Sequence, residues 1–318
     1  MNPYNVLPLF RQGVFHGKNA NIHLFCVGRR YISMTKDMTQ GSPLKLLLAF
    51  AVPLMLGSLF QQFYNLADTI IVGRFVGVEA LAAVGSVGGL NYLVLGFVNG
   101  IACGFSIPIS WTFGAHDHHE MRRYTANTVW LSIAFATVLT IVTVAMTHLV
   151  LVWTNTPADI IDLADIYIRT IFAGIPFTLL YNVTSALMRA LGDSKRPLYF
   201  LLVASVLNIG LDLACIILFN MGVFGAAVAT GISQLVTCIS YFVPFFSKKC
   251  TFRLCKFRFD PHLYARILPI GLADGVTELC TGLMIFLFNR TVLKCIGTDG
   301  VVTYTVIAYV TTIVINLM

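Results

Sequence analysis

The chain has 318 residues, of which 57% are hydrophobic and 11% charged, with a formal net charge of +7. Soluble globular domains carry about 25% charged residues, so the composition excludes a water-soluble fold and points to an all-α polytopic membrane protein. Where the positive charge sits decides whether it speaks of nucleic acid or of topology, and the elements in chain order supply the answer.

Residues 1–33 contain Arg11, His16, Lys18, Arg29 and Arg30 and lack the 7–15-residue apolar core of a secretory signal. They are read as a disordered or misassigned N-terminal extension ahead of "MTKDMTQGSPLKLLL", which begins at Met34 and has the character of a membrane-protein start. A straight crossing of ~30 Å of hydrocarbon takes about 20 helical residues. Runs of that kind follow at Leu46–Gly73, Ala80–Phe113, Tyr124–Trp153, Thr170–Met188, Leu198–Phe219 and Val223–Phe246. They predict a six-helix lobe over 34–246. The basic stretch 247–266 reads as a loop between lobes. The runs Ile267–Asn289 and Val301–Met318 open a second lobe over 267–318 that is incomplete. Prolines 53, 108, 176, 244 and 269 fall within or beside these runs and are candidate kinks.

Lysine and arginine alternate in density from one inter-helix segment to the next. Segments that share a side with the N-terminus hold 17 of them, and the opposite side holds 4. By the positive-inside rule the N-terminus and the 247–266 loop are cytoplasmic, and the protein is a multi-pass component of the plasma (bacterial inner) membrane. The net charge is therefore a topology signal, and no nucleic-acid partner is expected. Most of the 8 cysteines lie inside predicted helices with no zinc or disulfide spacing, so they read as small apolar residues. "GAHDHHE" (Gly114–Glu120) falls in a turn and reads as a solvated loop rather than a metal site. No Ser/His/Asp, Cys/His or HExxH arrangement sits at membrane depth, so the chain is not expected to be an enzyme or to carry a cofactor.

An internal repeat is visible at a shift of 220 residues, where "FVGVEALAAVGSV" from Phe75 aligns with "CIGTDGVVTYTVI" from Cys295. "FAVPLMLGS" and "RILPIGLAD" align Pro53 with Pro269 at a shift of 216, a difference of about one helical turn. A parallel repeat of six helices predicts twelve in all, on the order of 440–470 residues, so the chain is read as C-terminally truncated.

Acids inside the predicted spans are Asp68, Asp212, Asp274 and Glu278. Asp68 is the sole charge between Leu46 and Gly73, and a charge at mid-membrane costs at least ~2.5–3.5 kcal/mol, so each such acid needs a partner, a proton or a function. Tyr64 precedes Asp68 by four residues and Asn208 precedes Asp212 by four, which stacks each pair on one helical face; Asn65 lies three before Asp68. These oxygens could share a proton or hold a sodium ion at Asp68, Asn208 and Asp212, or could act as interhelical polar glue. Asp274 lies nearer the cytoplasmic end of its helix, where solvation competes with function. Thr230, within "GVFGAAVATGIS", is a candidate polar lining residue, and Pro53 is placed to bend the helix that carries Asp68.

The set Pro53, Gln62, Tyr64, Asn65, Asp68 and Gly73, followed by "ALAAVG", "RALGDSKRP", the Asn208/Asp212 pair and "GAAVAT", resembles the multidrug and toxic compound extrusion (MATE) family from about Met34 onward. "GVTELCTGLMIFLFN" (Gly275–Asn289) is similar to the seventh helix of a bacterial subgroup. The resemblance implies two six-helix lobes around a central cavity, alternating access, and export of amphipathic, often cationic drugs by a monomer in exchange for protons or sodium. It implies an amino-lobe coupling site of Tyr64, Asp68, Asn208, Asp212 and Thr230, a carboxy-lobe site at Glu278, and bending of the first helix at Pro53 on cation binding. A lipid-linked precursor flippase of the same superfamily and a non-transporting truncated product are the alternatives. The flippase is weakened because the predicted spans hold almost no lysine or arginine for a pyrophosphate.

Overall fold

The computed structural model describes residues 42–154, 159–246 and 260–296. Expectations for residues 1–33, most of the 247–266 loop and the run from Val301 lie outside the described residues. Those described form eight α-helices and no strand: α1 (Pro43–Phe75), α2 (Val78–Gly114), α3 (His118–Trp153), α4 (Ile161–Ala173), α5 (Ile175–Ala190), α6 (Lys195–Leu213), α7 (Gly222–Phe246) and α8 (Pro261–Ile296). Six spans are long and apolar enough to cross a membrane, and α4 with α5 makes a seventh as a bent pair. Large apolar side chains such as Leu47, Phe63, Ile70, Ile141 and Leu149 point outward, as hydrocarbon solvent permits.

Three helices begin at the lysine- and arginine-rich end, and an aspartate opens each one. Asp117 accepts the N–H groups of His119 (3.2 Å) and Glu120 (3.0 Å) to cap α3. Asp193 accepts those of Lys195 (3.1 Å) and Arg196 (3.2 Å) at the start of α6. Asp260 accepts that of His262 (3.0 Å) at the start of α8. Each oxygen satisfies donors that have no partner within the helix and adds negative charge at the positive end of the helix dipole.

The fourth span departs from the sequence expectation. It starts at Ile161 rather than near Thr170 and bends by 46° at Gly174. Asp162, Asp165 and Arg169 lower the hydropathy of its first turns and hide them from a hydropathy reading. Asp165 neutralises Arg169 across one turn at 2.7 Å, while Ala164, Tyr167, Ile168 and Phe172 are buried. Pro176 in the first turn of α5 has no N–H to continue the α4 ladder, which fixes the break. At the other end of the bundle α6 winds into a π turn, Ala214–Leu218, and reverses into α7 through Asn220 (φ 51°) and Gly222 (φ 58°).

α2 is the axis of the bundle and packs against α1, α3, α4, α5, α7 and α8. Val98, Ile101, Ala102, Phe105 and Ile109 on it are fully buried, and Phe135 of α3 sits between the rings of Phe97 (6.2 Å) and Phe105 (6.4 Å). Its contact with α8 is made backbone to backbone. A Cβ on Gly100 would lie 2.7 Å from the Asp274 carbonyl oxygen, and one on Gly104 would lie 2.6 Å from the Gly271 Cα. Small residues four apart allow this approach where a side chain would hold the helices apart.

Gly104→Ala is expected to lower the thermal midpoint of the detergent-purified protein, at an overpacking cost of ~1–3 kcal/mol. Gly88→Ala on the same helix, where an added methyl meets nothing within 4 Å, is expected to leave the midpoint unchanged or raised. Equal midpoints for the two variants would refute the backbone contact.

Candidate functional site

Three helices bring the predicted amino-lobe residues together. α1 contributes Tyr64 and Asp68 one turn apart, α6 contributes Asn208 and Asp212 with the same spacing, and α7 contributes Thr230. Asp212 is 0% exposed and Asn208 1%. The Asn208 amide meets matched partners when its nitrogen donates to Asp212 Oδ2 (2.8 Å) and its oxygen accepts from the Thr230 N–H (3.2 Å). The Tyr64 hydroxyl lies close enough to the Thr230 side chain to interact with it. α1, α6 and α7 are thus tied through one polar knot.

The Asp68 and Asp212 carboxyls come within hydrogen-bond reach of one another, yet both are acceptors unless one holds a proton. Asp68 Oδ1 and Asp212 Oδ1 are buried and take no hydrogen bond among the described residues. Ion pairs form elsewhere, between Arg123 and both Glu120 and Asp260, Arg169 and Asp165, and Arg196 and Asp193. Two carboxylates this close disfavour double ionisation, so a shared proton or an oxygen-liganded monovalent cation is what the arrangement can hold.

The site is not at mid-helix. Asp68 is seven residues, about 10 Å, from the α1 end remote from the basic face, and Asp212 stands at the foot of the π turn. Sequence reading missed Tyr167 of α4, which is buried and within electrostatic reach of both carboxyls. The bend at Gly174 carries α4 over the site, and a hydropathy window centred on the fourth span cannot reveal that. Asn65, paired with Asp68 by spacing, is exposed, and its carbonyl accepts the Thr69 hydroxyl at 2.9 Å. Pro53 is buried fifteen residues before Asp68, about 22 Å along the helix, and α1 runs unbroken through it.

Glu278 stands apart from this knot, on α8 against α2, with Oε2 4.0 Å from where a Cβ on Gly96 would sit. One turn before it on α8, Asp274 contributes with it to the electrostatics of Cys103 on α2. Arg189 turns its guanidinium back along α5, with Nη1 3.4 Å from Ser185 Oγ and Nη2 3.8 Å from Cys103 Sγ. In "GAHDHHE", Asp117 acts as the α3 cap and Glu120 pairs with Arg123.

Comparison with known proteins places the chain in a family. The MatE family model matches residues 53–214, just over half of the chain. The chain is 29% identical over 259 residues to the probable multidrug resistance protein YoeA of Bacillus subtilis, covering 79% of this chain and 56% of that protein. It is 35% identical over 205 residues to YpnP of the same organism, covering 62% and 44%. The multidrug export protein MepA of Staphylococcus saprophyticus is 23% identical, with 78% and 56% covered. Among solved structures, a multidrug resistance MATE family transporter of the MOP superfamily in an outward-facing conformation superposes with a TM-score of 0.81 at 27% identity, over 89% of this chain and 64% of that one. A MOP superfamily transporter from Pyrococcus furiosus gives 0.81 at 28% identity, with the same shares. The chain spans about half the length of the curated relatives it matches. The family model's match over just over half of the chain makes it a member of the MatE family.

Proposed function

We propose that the complete protein exports amphipathic, often cationic compounds across the cytoplasmic membrane by alternating access, in exchange for protons or sodium. The observation that carries the coupling role is the Asp68–Asp212 pair, Asp212 fully and Asp68 partly buried, within mutual reach and without a basic partner among the described residues. A proton or sodium ion entering between the carboxyls removes their repulsion and lets α1 and α6 close. Its departure favours separation. A ligand with unequal affinity for two arrangements lets a gradient bias their populations. The lysine and arginine asymmetry orients the chain with its N-terminus and the α3, α6 and α8 caps in the cytoplasm, so the pair faces the side from which protons or sodium enter. Glu278 supplies a separate acid in the second lobe, and buried Pro53 is where α1 can bend. The names of the multidrug relatives support the class of cargo.

Asp68→Asn keeps the shape and removes the charge. Cells expressing this variant are expected to lose the drug resistance conferred by the unsubstituted gene at equal membrane expression. Equal resistance from both would sink the coupling role.

In everted vesicles with a fixed proton gradient, removing sodium abolishes dye efflux if sodium is the coupling ion and leaves the rate unchanged if protons serve alone.

Asn208→Leu strands the Asp212 acceptor. It is expected to destabilise the purified protein by ~1–3 kcal/mol, and by clearly less when Asp212 is also replaced by Leu. Additive losses in thermal midpoint would show that Asn208 does not act through Asp212.

A further inference from the structure

At the basic end of the bundle an ion pair joins segments 137 residues apart. Arg123, in the second turn of α3, places Nη2 2.5 Å from Asp260 Oδ2 and directs Nη1 to Glu120 on its own helix. Asp260 divides its oxygens, Oδ2 to Arg123 and Oδ1 to the His262 N–H that opens α8. Toward the membrane from this bridge lies a cavity of about 530 Å³, walled by Pro108, Trp111, Thr112 and Tyr124 on α2 and α3 and by Arg266 and Pro269 on α8. Deeper still comes the backbone contact of Gly104 with Gly271. The order from the basic face inward is ion pair, cavity, glycine contact.

We propose that Arg123–Asp260 is a releasable latch that holds the first lobe to the first helix of the second and keeps the basic face closed. The pair suits release better than permanent closure. When it parts, Arg123 retains Glu120 and Asp260 retains its capping bond to α8, so neither charge is orphaned and no helix start unravels. All three side chains are only partly covered, between 26% and 37% exposed, so water screens the attraction and keeps it weak enough to break in each cycle. The glycine contact then acts as the fulcrum, because the closely packed backbones of α2 and α8 can tilt about Gly104 without side chains to interlock. The inference rests on the transport reading for its purpose, while its test does not depend on transport.

The test uses the full chain carrying Thr112→Cys in everted membrane vesicles, with the rate of labelling at position 112 by a membrane-impermeant maleimide read by peptide mass spectrometry. Arg123→Gln and Asp260→Asn, the latter keeping an oxygen that can cap α8, are each expected to raise the rate roughly three- to fivefold, the scale of a weak ion pair. The combined variant is expected to rise no further than the larger single effect. Glu120→Gln removes the fallback partner of Arg123 and is expected to lower the rate. Single variants within about 1.5-fold of the parent, multiplying effects in the double variant, or a rise with Glu120→Gln would each overturn the latch. No drug or gradient enters this measurement, so failure of the efflux experiments leaves its result standing, and the reverse holds too.

Discussion

Two carboxyls brought together among apolar helices cannot both remain charged without something between them. Asp68 and Asp212 impose that condition on the far end of the bundle, and the surrounding polar groups meet it only in part. Asn208 and its hydrogen bond to Asp212 account for one oxygen, and the Tyr64 hydroxyl of α1 lies near Thr230 of α7. One oxygen on each acid takes no hydrogen bond among the described residues. A structural polar contact in a membrane contributes ~0.6 kcal/mol on average, far below the several-fold larger cost of an unneutralised intramembrane charge. The arrangement therefore makes poor glue, which is the physical ground for the proposed role of the pair as a receptor for a small cation.

The rest of the bundle keeps these acids in register. α2 runs through the centre with fully buried aliphatic and aromatic side chains on several faces, and its glycines let α8 approach to backbone contact. The bent α4–α5 span wraps the same core and delivers Tyr167 over the acids. Aspartate caps start α3, α6 and α8 at the opposite end. The two ends thus hold charge under opposite physical regimes. The Asp68–Asp212 pair is desolvated, so one ion changes its energy greatly. The Arg123–Asp260 pair is wet, so it contributes roughly 0–1 kcal/mol and can be made and broken at little cost.

Hydrophobic runs sufficed to locate seven spans because the bilayer sets their length and bars irregular backbone from lipid, so α1, α2 and α7 begin and end within about three residues of the expected limits, while α3 and α8 start six residues earlier and α8 also ends seven later. The fourth span was misjudged because Asp162, Asp165 and Arg169 lower the hydropathy of its first turns, although Asp165 and Arg169 pair one turn apart, and because its break is set by Gly174 and Pro176. Lone acids in apolar helices, with a polar companion at a spacing of four, marked Tyr64, Asp68, Asn208 and Asp212 without any coordinates.

The sequence by itself determined the membrane class, the spans and the acids that need explaining, since each follows from local composition and from helical spacing along a single element. Only the tertiary structure decided which acids meet. Asp68 and Asp212 are 144 residues apart in the chain, and no periodicity joins them. Glu278 is left aside because α8 packs on α2 and not on α6. The same holds for Tyr167, for Arg189 turned back toward Cys103, and for Arg123 reaching Asp260. Contacts between distant elements are set by how helices pack and bend against one another, and that information resides in the fit of whole surfaces rather than in any short stretch of residues.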